Sequence, residues 1–222
     1  GNDCDDCAGV PNGDNVEDEC GTCDSDPSND CVDYTIEITD NVELISFHAL
    51  PENTSVENIF NGFEGISPGV LGEGTSANYY DDMWMGTLIS IEPTDGYWVV
   101  IDGEADLDVT DGIPTDPSTV YDLHAHTNLI SYPFAGSAAI EETIPDGAQT
   151  SIDAIIGEGE AAMNTGDDWV GGLLNLSGTE GYWFITNDEV SFTYNPPVEG
   201  AARKASPIRS VPMEFAFRQS TH

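Results

Sequence analysis

The chain has 222 residues, long enough for one or two domains with a real core, and carries 42 acidic residues against 4 Lys+Arg, a formal net charge of −38. The cations are Arg203, Lys204, Arg209 and Arg218, so residues 1–200 hold no Lys or Arg. That balance excludes nucleic acid, whose binders need basic side chains to displace counterions, and it excludes insertion into an anionic membrane.

Self-repulsion on this scale opposes compaction unless high salt or bound divalent cations offset it. The first reads as a halophilic soluble protein, the second as a cation-stabilised one. No basic stretch followed by an apolar one opens the chain, and the apolar run around GYWVVI (96–101) is too short for a membrane helix. All five cysteines fall at Cys4, Cys7, Cys20, Cys23 and Cys31. Cysteines packed this densely among loop-forming residues persist as disulfides outside the cytosol, which places the chain outside the cell or on its surface.

Residues 1–33 form the first zone: 11 acids and the five cysteines, with only Val10, Val16 and Val32 as sizeable aliphatics. Such a zone cannot build an apolar core, so if it is ordered, metals and disulfides must order it. Asn2-Asp3-Cys4 recurs as Asn29-Asp30-Cys31, 27 positions later. Cys4 therefore reads as the last cysteine of a preceding repeat, with its partner upstream. Cys7, Cys20, Cys23 and Cys31 make an even set whose pairing the sequence leaves open. Asp and Asn at close spacing in a Gly/Pro-rich loop offer the hard oxygen ligands that calcium takes. Paired Cys-x2-Cys knuckles make zinc the rival, although zinc needs reduced thiolates, and a disordered acidic tail is the third reading.

The patterns D-C-x-G-x-x-N-G at 6–13 and E-C-G-x-C-x-x-D at 19–26 resemble the thrombospondin type-3-like calcium repeats of secreted, multi-modular bacterial surface proteins. The resemblance covers residues 1–33. It implies calcium as the bound cation and Asp6, Asn12, Asp14, Asp18, Asp24, Asp26 and Asp30 as its ligands.

The second zone, 34–195, is duplicated. LISFHAL (44–50) matches LISYPFA (129–135), VLGEGTSA (70–77) matches IIGEGEAA (155–162), DMWMGTL (82–88) matches DDWVGGL (167–173), and PTDGYWVVI (93–101) matches GTEGYWFIT (178–186). The offset is 85 residues throughout, the mark of tandem duplication. Both copies, 34–118 and 119–195, read as short alternating strands between Gly, Asp and Thr turns. One helix is expected at 56–63, capped by Thr54 with Glu57 completing a capping box. The expected architecture is mainly β: two tandem homologous β-sandwich or barrel-like modules behind an irregular segment stabilised by disulfides and calcium. The duplicated unit also resembles β-rich modules that recur in such secreted bacterial proteins, a resemblance that implies no catalytic role.

Chemistry-bearing residues in this zone read blandly. Asp122, His124 and His126 alternate as a metal-binding strand face would, but their counterparts Glu37, Thr39 and Asn41 carry no imidazole. His48 aligns with Pro133. Glu73 and Glu158 recur in GEG turns, one per copy, whereas a glycosidase needs both acids in one cleft. Trp84, Trp98, Trp169 and Trp183 recur two per copy and read as core, with sugar stacking as the alternative. Ser46 and Ser131 lack a nucleophile elbow.

Residues 196–222 form the third zone, a Pro/Ala/Gly-rich linker followed by an alternating strand with Met213, Phe215 and Phe217 on one side. A lone apolar strand needs a sheet edge, either in its own module or in a neighbouring copy, and the third reading is that it opens a further domain. The chain is thus expected to be a non-enzymatic, calcium-binding structural segment of an extracellular stalk, adhesin or filament. Its expected partners are neighbouring copies of itself or adjacent modules, with Met213, Phe215 and Phe217 at the interface. The alternative is a polysaccharide-binding accessory region of a secreted hydrolase.

Overall fold

The structure is a computed structural model and describes residues 5–17, 23–25, 30–39, 41–66 and 68–197. It is mainly β, with antiparallel sheets throughout. In the front segment, β1 (Val16–Glu17) pairs with β2 (Cys23–Asp24). Cys7 and Cys23 form a disulfide whose Cα atoms are 5.8 Å apart, and Cys31 is also disulfide-bonded.

The first module runs β3 (Val32–Ile38), β4 (Val42–Ser46), β5 (Ala49–Leu50), α1 (Val56–Ile59), β6 (Gly69–Gly72), β7 (Thr75–Tyr80), β8 (Met83–Gly86), β9 (Gly96–Val100) and β10 (Ala105–Pro114). A five-stranded sheet has the order β4-β9-β6-β7-β8, and a second sheet has the order β3-β10-β5. Strand alternation aims Tyr97 and Val99 of β9 inward and leaves Trp98 and Val100 on the outer face. Ile36, Leu107 and Val109 of the smaller sheet join Ile45, Val70 and Tyr97 of the larger one in a single core, as in a sandwich.

The second module repeats the plan with β11 (Tyr121–Leu123), β12 (His126–Ile130), β13 (Ser137–Ala139), α2 (Ile140–Thr143), α3 (Asp146–Gln149), β14 (Ile152–Ile156), β15 (Ala161–Asn164), β16 (Trp169–Gly171), β17 (Asn175–Ser177), β18 (Tyr182–Thr186) and β19 (Val190–Phe192). Its five-stranded sheet has the order β12-β18-β14-β15-β16, strand for strand that of the first. Register is repeated too. Leu44 faces Trp98 as Leu129 faces Trp183, Val70 faces Ala77 as Ile155 faces Ala162, and Ile36 faces Leu107 as Tyr121 faces Phe192. The two cores share no residue.

The repeated motifs have local causes. In W-x-G-x-L, a Cβ on Gly86 or Gly171 would fall inside contact distance of Ser76 O or Ala161 O. Only glycine lets the chain press onto the neighbouring strand there. That close approach lets Leu88 N–H donate to Ser76 O at 3.0 Å and Leu173 N–H to Ala161 O at 3.2 Å. In GYW, the tyrosine is buried and its hydroxyl accepts a loop N–H: Glu92 N to Tyr97 at 2.8 Å, Ser177 N to Tyr182 at 2.7 Å.

The helix in the first module is shorter than its pattern predicts and is capped one residue later. Ser55, rather than Thr54, is the N-cap, and its hydroxyl accepts from Asn58 N at 3.3 Å. The helix ends at Ile59 because Phe60 and Phe63 both turn into the core across Gly62, whose φ is +96°.

Candidate functional site

Among the expected calcium ligands, Asp6, Asn12, Asp14 and Asp30 lie within the described residues, as does the backbone of Asp24; Asp18 and Asp26 lie outside them, as do Cys20, Met213, Phe215 and Phe217. Asp6 anchors a tight loop: its carboxylate accepts from Val10 N at 2.7 Å and from Asn15 N at 3.4 Å. Asn12 takes the left-handed conformation, φ +53°, and Asp14 and Asp30 are exposed. A carboxylate has about four lone-pair sites, so these two bonds leave Asp6 able to ligate a hard cation. Among the described residues no three of His, Cys, Asp or Glu converge as a metal site. No described helix is long and apolar enough to cross a membrane.

The strongest chemistry among the described residues lies between the modules. Leu44 and Leu129 are each 2 % exposed yet belong to neither core, because each is covered by the other module. Glu73, in the first GEG turn, accepts from Leu129 N at 2.9 Å through Oε2; Glu158, in the second, accepts from Leu44 N at 2.8 Å. The same exchange appears in the backbone. Ser46 N donates to Thr179 O at 3.1 Å and Ser131 N to Thr94 O at 3.0 Å, and bridges pair Ile45 with Glu180 and Asp95 with Ile130. Every one of these partners maps onto its counterpart at the 85-residue offset, so the modules meet across a pseudo-two-fold axis.

This explains the two glutamates more fully than turn formation does. Each carboxylate makes a charge-assisted bond to an N–H of the other module. The serines of the two LIS segments also belong to the joint: Ser46 Oγ donates to Glu180 O at 2.7 Å and Ser131 Oγ to Pro93 O at 2.6 Å. His48 joins them. It is 8 % exposed, with Nδ1 3.3 Å from Gly178 O and its ring centroid 4.1 Å from that of Tyr34. Burial holds its imidazole below the ordinary histidine value. Nothing in the sequence pattern marked it, since its counterpart is Pro133.

Asp122, His124 and His126 do not share a strand face, because β11 ends at Leu123 and β12 begins at His126. His124 instead reaches Glu73, Nε2 to Oε1 at 2.8 Å, and its Nδ1 lies 2.9 Å from Ala125 O. These contacts raise its pKa above the ordinary value. Asp95, half-buried at the same joint, is raised by desolvation and then by Glu92 and Glu73 nearby.

All four tryptophans are half-buried. Trp84 and Trp169 pack against the two cores, and Trp98 and Trp183 lie on the outer sheet faces. Beside Trp169 the second module opens into a cleft of about 600 Å³. Its walls carry five carboxylates, Glu141, Asp146, Asp153, Asp167 and Asp168. The Trp169 indole N–H donates to Gln149 Oε1 at 3.0 Å, and Gln149 in turn donates to Ile144 O at 2.7 Å, which fixes the ring at the cleft's edge.

No protein family, no curated protein and no solved structure matches the chain.

Proposed function

We propose that the chain is a structural, calcium-stabilised segment of an extracellular stalk, adhesin or filament. The observation that carries this reading is the joint between the modules. The residues best suited to chemistry, Glu73, Glu158, Ser46, Ser131 and His48, are committed to hydrogen bonds across it. Two sandwiches locked by repeated backbone and carboxylate bonds make a stiff unit of the kind that transmits load. The disulfide-linked, acid-rich front segment extends that unit, and calcium neutralises it.

Assembly runs through sheet edges. β8 and β16 end their five-stranded sheets, and exposed apolar residues cluster beside them: Tyr80, Met83 and Met85 in the first module, Met163 and Val170 in the second. An alternating strand bearing Met213, Phe215 and Phe217 from a neighbouring copy suits such an edge, with ladder hydrogen bonds supplying affinity and the apolar side chains register. Sedimentation and electron microscopy of the full chain and of a chain lacking 211–222 test this. Calcium-dependent oligomers of the full chain and monomers of the shortened one are expected. Equal assembly of both would overturn strand addition.

A further inference from the structure

We infer that the acidic cleft beside Trp169 is a docking site for the chain's own basic segment, with Arg203 or Lys204 seated over the indole among the carboxylates. The duplication supplies an internal control. In the first module the matching Trp84 is packed by aromatic rings, Phe60 at 5.9 Å and Tyr79 at 5.7 Å between centroids. At the corresponding positions the second module has Pro145 and Asn164, so no aromatic ring among the described residues takes their place against Trp169, and a cleft opens where the first module is filled.

The cleft's chemistry selects its occupant. Five carboxylates around one half-exposed indole favour a cationic group: the ring face attracts a guanidinium or ammonium, and the acids neutralise it. Residues 1–200 contain no Lys or Arg, so this chain's only candidates are Arg203, Lys204, Arg209 and Arg218.

The path of the chain selects among these. Asn195 is pinned to α2, its N–H donating to Thr143 O at 2.8 Å and its side chain to Glu142 O at 3.0 Å. The neighbouring residue Glu141 is a wall of the cleft, and Gln149 spans from Ile144 to the indole itself. The chain therefore leaves the second module at the cleft's rim. Eight further residues reach Arg203, and an extended chain of that length spans about 26 Å. Docking in this way tethers the linker and presents whatever follows it from a defined place beside β16. It stands whether or not the strand at 211–218 adds to a neighbour.

The test reads the Trp169 indole N–H resonance of the full chain in a ¹H–¹⁵N spectrum, assigned with Trp169→Phe. The paired substitution Arg203→Gln and Lys204→Gln lies outside the sandwich and is expected to move that resonance, as is about 1 M salt, where the screening length is about 3 Å. In an Asp167→Asn, Asp168→Asn background the tail substitutions should have no further effect. An unmoved resonance in the tail variant overturns the proposal. So does a resonance that shifts equally with calcium alone, or with a soluble oligosaccharide, in both chains, since the cleft then serves a free ligand. Loss of the docked signal on dilution would overturn docking within one chain. Deleting 211–222 keeps Arg203 and Lys204, so failure of assembly and failure of docking are separately visible.

Discussion

Gly96 and Gly181 meet where the modules touch. A Cβ on Gly181 would lie 3.3 Å from Gly96 Cα, 3.0 Å from Leu44 Cδ1 and 2.7 Å from Ile45 O, and one on Gly96 would lie 3.0 Å from Leu129 Cδ1. The first letter of each GYW motif is thus set by the opposite module, not by its own turn.

Gly181→Ala is therefore expected to lose about 1–3 kcal/mol, the usual cost of forcing a methyl into packed backbone. Because the methyl separates the modules, a single denaturation transition should broaden or split into two. Gly147→Ala is the control, since a Cβ there meets nothing within 4 Å. Urea melts followed by tryptophan fluorescence measure both; an unchanged midpoint for Gly181→Ala would remove the joint's energetic role.

The Glu73–His124 contact predicts a pH dependence with a definite sign. The folded pKa of His124 is raised, first by its bond to Ala125 O and then by Glu73. Its contribution is fully present below about 6.5, the unfolded value, and disappears as pH rises through the higher folded value. An NMR titration should place the His124 midpoint above 6.5. Glu73→Gln should bring it down, while Glu158→Gln, which carries no histidine, should leave it in place.

Asp95 carries the same sign in a lower pH window, with its charged form the disfavoured one. Its folded pKa is raised, so the folded state binds a proton more readily and stability falls as pH climbs from about 3.8 through the folded value. Asp95→Asn is expected to raise the melting temperature at pH 7 and to give no gain near pH 3. A gain of equal size at both pH values would show that its effect is not electrostatic.

Tyr132 is 0 % exposed, and its hydroxyl has no hydrogen-bond partner among the described residues. Burial pushes it up to about 12, so it stays neutral. An unsatisfied buried polar group costs about 1–3 kcal/mol, so Tyr132→Phe should stabilise the second module. Tyr182→Phe, which removes the acceptor of Ser177 N, should destabilise it by about 1 kcal/mol. Denaturant midpoints of the two variants should move in opposite directions.

Calcium makes the last prediction. Melts with calcium, with EDTA, and with EDTA at matched ionic strength separate specific sites from screening. Calcium at about 100 times its dissociation constant adds about 2.7 kcal/mol to whatever it binds when folded. Equal melts in calcium and in matched salt would move the acidic front segment into the halophilic reading.

Much of the sandwich architecture was legible because the duplication is gapless. One offset predicts the strand order of the second sheet from the first, down to Leu129 opposite Trp183. The joint was not legible. A glutamate between two glycines looks like a turn whether its carboxylate faces water or, as Glu73 does, another module's N–H. The helix pattern pointed to Thr54 as the cap, whereas the helix starts one residue later, with the Ser55 hydroxyl taking Asn58 N. The cleft at Trp169 was hidden because its origin is an absence: nothing marks Asn164 and Pro145 until the filled first module shows that they stand where Tyr79 and Phe60 do.

Each module offers the other the same surface it receives, so the pairing is self-complementary and complete at two. No third module can join through that face, because both halves of it are already consumed. Any longer array built from this chain must therefore grow from the outer strands or the chain ends, leaving the central contact as a fixed hub.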